Sequence, residues 1–192
     1  MTHPTDHATL DSPDPAVLIL HGHPDWPEPT LEQYTHCSVR FEAGLDLDAR
    51  VRAAAEAIER FGSPMHVLAD GADCAVAVRL SLARPDLVKS LVLAECSAET
   101  DLGDVTDELP QVPVPALVIA ACPDGETGLE ESQTLAGQIP NGVFVVMDHV
   151  ELPAFGSRPG SFNAWSGSFI SIVEGLRALD GEAISDPTRT PA

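Results

Sequence analysis

The 192-residue chain carries 30 acidic against 10 basic side chains, a formal net charge of −20. A field of that sign repels phosphate and excludes nucleic acid and anionic membrane as partners. Hydrophobic residues make up 44% of a chain long enough for one domain with a substantial core. No apolar run approaches the ~20 residues of a membrane span, and the first residues lack the basic and apolar regions of a signal peptide. The expectation is a soluble cytoplasmic protein with no membrane partner.

Residues 1–14 are polar, proline-bearing and expected to be disordered. Ala16-Val17-Leu18-Ile19-Leu20 is wholly apolar, as in a central strand, and runs into the turn-forming His21-Gly22-His23-Pro24-Asp25-Trp26. Residues 29–34 predict a short helix and residues 37–42 an alternating strand. Asp46-Leu47-Asp48 opens a helix over 49–61, with acidic residues in its first turn; Gly62-Ser63-Pro64 ends it.

Residues 65–84 organise the chain. Met65-His66-Val67-Leu68-Ala69 has the length of one buried strand. Asp70-Gly71-Ala72-Asp73 breaks it with turn-forming residues, and residues 74–82 are Ala-rich and apolar, as in a helix buried on most sides. A second buried strand follows at 90–95, then an acidic loop at 96–112.

A strand is predicted at 113–121, leading into Cys122-Pro123-Asp124, then a helix at 127–138 with residues 134–136 on its inner side. The last strand, 142–147, leads into Asp148-His149-Val150-Glu151-Leu152-Pro153. The closing helix, 161–179, carries Phe162, Trp165, Phe169, Ile172, Val173 and Leu176 at three- and four-residue spacing. The tail from Asp180 is expected to be disordered. The cysteines Cys37, Cys74, Cys96 and Cys122 form no C-x-x-C pair and are expected as buried thiols.

Strand, tight turn, buried helix and second strand at 65–95, preceded by strand-H-G-x-P at 16–24, resemble the α/β-hydrolase fold over residues 15–180. The resemblance implies a three-layer α/β/α sandwich on a mostly parallel sheet. Residues 96–112 leave no room for the lid domain usual in that family. It places Gly71 where the nucleophilic serine of G-x-S-x-G belongs, Asp124 at the acid position and Glu151 at the histidine position, with His149 two residues earlier. The oxyanion pocket of the family falls on His21, Gly22, His23, Trp26, Gly71 and Ala72, with backbone N–H groups of His23 and Ala72 facing the oxyanion.

A Ser–His–Asp mechanism needs a hydroxyl and an imidazole at those places. Gly71 supplies neither, and Glu151 is a weak base at its ordinary pKa near 4.3. A one-residue slide would put Asp70 at the nucleophile place. The polar groups His21, His23, Asp70, Asp73, Asp124, His149 and Glu151 are expected to meet at the carboxyl ends of the strands, where ligands of open α/β sheets bind. Crowded carboxylates there would suit acid–base chemistry on a small molecule; alternatively Asp70 and Asp73 cap the following helix. No metal-ligand spacing is present, and no cofactor is expected.

Three functions remain open: a non-hydrolytic cyclase, lyase or isomerase acting on a natural-product intermediate; a pseudo-hydrolase that binds or scaffolds; and a hydrolase using Asp70 or His149. The lidless face, with Trp26 and Leu152, is expected to be covered by a second copy or a heteromeric partner.

Overall fold

The computed structural model describes residues 15–23, 25–42, 44–125 and 129–185. The expectations for residues 1–14 and for the end of the tail lie outside these.

Six parallel strands form one sheet in the order β2-β1-β3-β4-β7-β8. They are β1 (Ala16–Leu20), β2 (Thr35–Val39), β3 (Met65–Asp70), β4 (Val88–Ala94), β7 (Ala116–Cys122) and β8 (Gly142–Asp148). The four inner strands, β1, β3, β4 and β7, are the sequence's apolar runs. Both faces of a parallel sheet are covered by helices, so these runs do not alternate. Between β4 and β7 the acidic loop folds into a hairpin, β5 (Glu99–Thr100) with β6 (Gly103–Asp104), and a 3₁₀ turn over Thr106–Gln111.

Helices α1 (Leu47–Phe61), α2 (Cys74–Ala83) and α3 (Glu130–Gln138) cover one face of the sheet. The other is covered by α4 (Ala154–Ser157) and α5 (Pro159–Ser185). Asp46 caps α1 by accepting the N–H of Ala49 at 2.7 Å, and Gly62, at φ +90°, ends it in the left-handed conformation that glycine adopts without strain. The result is the expected three-layer α/β/α sandwich, compact and without a lid.

Several local expectations change. Residues 29–34 form turns, not a helix; Tyr34 instead donates its hydroxyl hydrogen bond to the Gly167 carbonyl at 3.0 Å, fixing this loop against α5. The following strand begins earlier than the alternation suggested, at Thr35, because it pairs with all of β1. Thr134 is exposed on α3 while Ser132, Leu135 and Ala136 are buried. Helix α5 continues to Ser185, past the Asp180 where disorder was expected. Its apolar face is only partly covered: Phe162, Phe169 and Val173 are buried, but Trp165, Ile172 and Leu176 are exposed.

Cys74 and Cys96 do not remain separate thiols. They form a disulfide with Cα atoms 6.0 Å apart. β3 and β4 are sheet neighbours, so the chain just past their carboxyl ends converges, which a separation of 22 residues does not announce. Cys37 is half-buried and Cys122 buried. The cysteines therefore give no support to a reducing compartment. No helix among the described residues is long and apolar enough to cross a membrane.

Candidate functional site

The sheet's topology brings three polar residues to neighbouring strand ends. Register pairs Leu20 with Ala69 and Asp70 with Ala94. His21, one residue past β1, therefore lies beside Asp70, the last residue of β3, and Glu95 lies just past β4.

His21 Nδ1 and Asp70 Oδ2 are 2.5 Å apart, with both side chains fully buried. His21 Nε2 lies 3.2 Å from the Trp26 carbonyl oxygen. A carbonyl only accepts, so Nε2 is the protonated nitrogen of that bond. One further proton lies between Nδ1 and Oδ2, on the imidazole as an ion pair or on the carboxyl as a neutral one. Burial pushes the Asp70 carboxyl above the usual carboxylate range; the bond with His21 pulls it back, and the neighbouring Asp73 charge adds to the rise. Asp70 Oδ1 is buried and has no hydrogen-bond partner among the described residues.

Asp73 is buried three residues on, and its Oδ1 accepts from Arg50 Nη1 at 2.8 Å. Burial raises its carboxyl and Arg50 opposes the rise. Neither Asp70 nor Asp73 makes a side-chain cap on the helical turn that follows it; both side chains are spent on tertiary partners. Gly22 is required here, because a Cβ at that position would collide with the Asp73 carboxylate.

The turn after β3 is the tight elbow the sequence implied. Gly71 has φ +53°, the left-handed region that most side chains avoid, whereas Asp70 is extended at φ −125°. The apex is therefore Gly71, and Asp70 belongs to the strand. Above the apex, Trp26 Cζ3 would lie 3.9 Å from a Cβ on Gly71. His23 stacks on Trp26 at 4.0 Å, and Phe155 meets the edges of both Trp26 and His21.

Gly22, His23, Arg50, Asp70, Ala72 and Asp73, with Asp101 and Leu102 opposite, line a cleft of about 230 Å³. A second cleft, of about 320 Å³, includes Glu95, Asp124, Ser132 and Leu152. The predicted residues thus divide. His21, Gly22, His23, Trp26, Asp70, Gly71, Ala72 and Asp73 come together. Asp124 lines the second cleft and is exposed. Glu151 is exposed, and His149, at φ +52°, points outward with Nε2 3.7 Å from Asp148 Oδ2.

Two residues of this region were not anticipated. Arg50 lies on α1 and gives no local signal of its ion pair. Glu95, at φ +55°, accepts the Ala121 N–H on one carboxylate oxygen and the Ala154 N–H on the other, each at 3.0 Å. Burial raises its pKa, and the two N–H groups oppose that rise. Its signal is a charged residue directly after the apolar run Leu91-Val92-Leu93-Ala94.

No protein-family model matches the sequence, and no curated protein matches it. Solved structures do. A membrane phospholipase A described as a bacterial virulence factor superposes with a TM-score of 0.71 at 12% identity, over 84% of this chain and 80% of that one. A thermophilic esterase from Thermogutta terrifontis gives 0.68 at 15% identity, over 83% and 90%. An α/β hydrolase enzyme from a Medee basin deep-sea metagenome library gives 0.69 at 14% identity, over 85% and 91%. This chain has the α/β-hydrolase fold. At such identities the likeness establishes the fold alone.

Proposed function

We propose that this is a catalytically rewired α/β-hydrolase-fold protein, a cofactor-free cyclase, lyase or isomerase that moves a proton on a small molecule. In this reading the triad positions hold Gly71, Asp124 and Glu151, and no covalent nucleophile operates. The carrying observation is Asp70. One oxygen is engaged by His21 and the other has no partner among the described residues, in a residue that lines the cleft at the carboxyl end of the sheet. A carboxyl with raised pKa, backed by a buried imidazole that can take or return its proton, is a general acid or base suited to neutral pH. His23 and Ala72 border the same cleft, so their backbone N–H groups are the candidates for steadying an enolate oxygen as a C–H proton leaves. The cleft volume fits a small metabolite. Among the described residues its carboxylates outnumber Arg50, the one permanent cation in its lining, which favours a neutral or cationic substrate.

The test is proton exchange. The protein is incubated in D₂O with a metabolite extract of its host, and mass spectrometry follows deuterium uptake and depletion. One metabolite should exchange or disappear with wild type, and Asp70→Asn should slow it by about 10²–10⁴-fold. Exchange equal in wild type and Asp70→Asn would overturn the role of Asp70.

A second reading, a non-catalytic binding or scaffold protein, is favoured by Trp26, which stands over the elbow where a hydrolase admits its substrate. Retention of a metabolite on the immobilised protein, with no exchange and no turnover, would decide for it. The hydrolase reading needs Asp70 at the apex or His149 turned inward, and nothing in the geometry favours either.

A further inference from the structure

We propose that the outer edge of β8 and the uncovered side of α5 form a two-fold interface with a second copy of this chain. This surface is independent of the proposed chemistry.

β8 is the last strand of the sheet, and among the described residues it pairs with β7 alone. Its backbone direction follows from its end bonds. Ala116 N–H donates to the Asn141 carbonyl at 3.1 Å and His149 N–H to the Cys122 carbonyl at 2.8 Å, so the odd positions turn toward β7. Successive residues of a strand alternate. Phe144, Val146 and Asp148 therefore turn N–H and C=O outward. Such an edge is a template for another strand unless proline, charge or a bulge blocks it. Gly142-Val143-Phe144-Val145-Val146-Met147 contains none of the three, and the one charge of the strand, Asp148, stands at its end.

Beside the edge, β8 and α5 enclose an apolar groove of about 400 Å³, with Val143, Val145, Trp165, Phe169, Ile172 and Leu176 in its walls. Ile172 is 61% exposed, Leu176 54%, Trp165 51% and Val143 48%. Large side chains clustered this way mark an interaction surface.

Charge identifies the occupant. The chain as a whole would attract a basic partner, yet residues 142–147 and 159–173 contain no Asp, Glu, Lys or Arg. Within these stretches the surface has no group to hold a cation and none to repel a copy of itself; Asp148 and Arg177 stand at its ends. The strand is also self-complementary. Antiparallel pairing about a two-fold axis at Val145 sets Phe144 opposite Val146 in reciprocal hydrogen-bonded pairs, Val143 opposite Met147, and Asp148 opposite Gly142. No acidic group meets another, so two chains of charge −20 dock without a like-charge pair at the seam. Helix α5, 27 residues and about 40 Å long at 1.5 Å per residue, extends the contact alongside the strands. A stable interface buries about 800 Å² per partner, and the exposed Trp165, Ile172 and Leu176 of α5 widen the contact beyond the strand edge toward that size.

Sedimentation equilibrium of the full chain at about 100 µM, well above a micromolar dissociation constant, should give twice 20.3 kDa. Val146→Pro deletes one outward N–H and none of the bonds to β7; Ile172→Asp puts charge into the groove. Each should shift the mass to that of one chain with unchanged circular dichroism. Should Val146→Pro misfold, Ile172→Asp decides alone. Val145→Cys should form a disulfide between the two copies of residue 145 on mild oxidation, identified by mass spectrometry. A monomeric wild type, or a dimer that survives Ile172→Asp but is split by Leu152→Asp at the lidless end, would overturn the proposal.

Discussion

Asp70 and His66 are both ionisable, both buried and both on β3, and burial moves them in opposite directions because it always disfavours the charged form. Asp70 is raised toward the range where an acid–base group works. His66 is pushed down to about 4, against the opposing pull of Glu174. It lies between Ser90 Oγ, 2.7 Å from Nδ1, and Glu174 Oε1, 2.9 Å from Nε2, and Lys89 Nζ shares the same Glu174 oxygen. A neutral imidazole satisfies both contacts, with Nε2–H donating to Glu174 and Nδ1 accepting from Ser90. The unfolded chain binds a proton at His66 with a pKa near 6.5, so between about 4 and 6.5 the unfolded state holds more protons than the folded one. The stability carried by His66 is complete above that window and is lost as pH falls through it. Thermal midpoints measured from pH 7 to pH 4 should therefore fall more steeply for wild type than for His66→Gln. Equal slopes would mean that His66 does not titrate in this window.

At the scale of elements, the carboxyl end of the sheet is tied together by Glu95. Its two oxygens hold the end of β7 at Ala121 and the first residue of α4 at Ala154. Both bonds are charge-assisted and in a largely buried place, where an unmade bond costs about 1–3 kcal/mol. Glu95→Gln keeps the shape but turns one acceptor into a donor facing an N–H. It should lower stability by about that amount and speed amide exchange at Ala121 and Ala154, while β1 and β3 stay protected. Unchanged exchange at both amides would show that the clamp carries no weight. The elements themselves were legible. The elbow, the α1 cap and the four inner strands follow from apolar runs and turn residues, because those signals are local. The turns at 29–34 and the extra length of α5 were missed, since Tyr34 is held by Gly167 across the chain and tertiary contact overrides propensity.

For the whole molecule, the net charge of −20 dominates. Its self-repulsion opposes the compact state, while the partly exposed ion pairs of Arg79 and Arg84 each contribute little. Raising ionic strength from about 0.01 M to about 0.15 M shortens the Debye length from about 30 Å to about 8 Å. It weakens both effects, and the larger one is repulsive. The thermal midpoint should rise across that range; a fall would mean that the surface ion pairs outweigh the summed repulsion.

The sequence by itself determined the four inner strands and the main helices α1, α2, α3 and α5, because apolar run length and turn chemistry are properties of neighbouring residues; the resemblance to the α/β-hydrolase pattern placed Gly71 at the elbow. It also brought His21, Gly22, Asp70 and Asp73 to one end of a parallel sheet, since each lies at or just past the end of a recognisable strand. Only the tertiary structure decided what these residues do there. Strand adjacency put His21 against Asp70 and Cys74 against Cys96. The packing of α1 supplied Arg50 to Asp73, and the loop geometry after β8 left Glu151 and His149 facing outward. Those contacts join residues far apart in the chain through side-chain direction and burial, which no spacing of letters encodes.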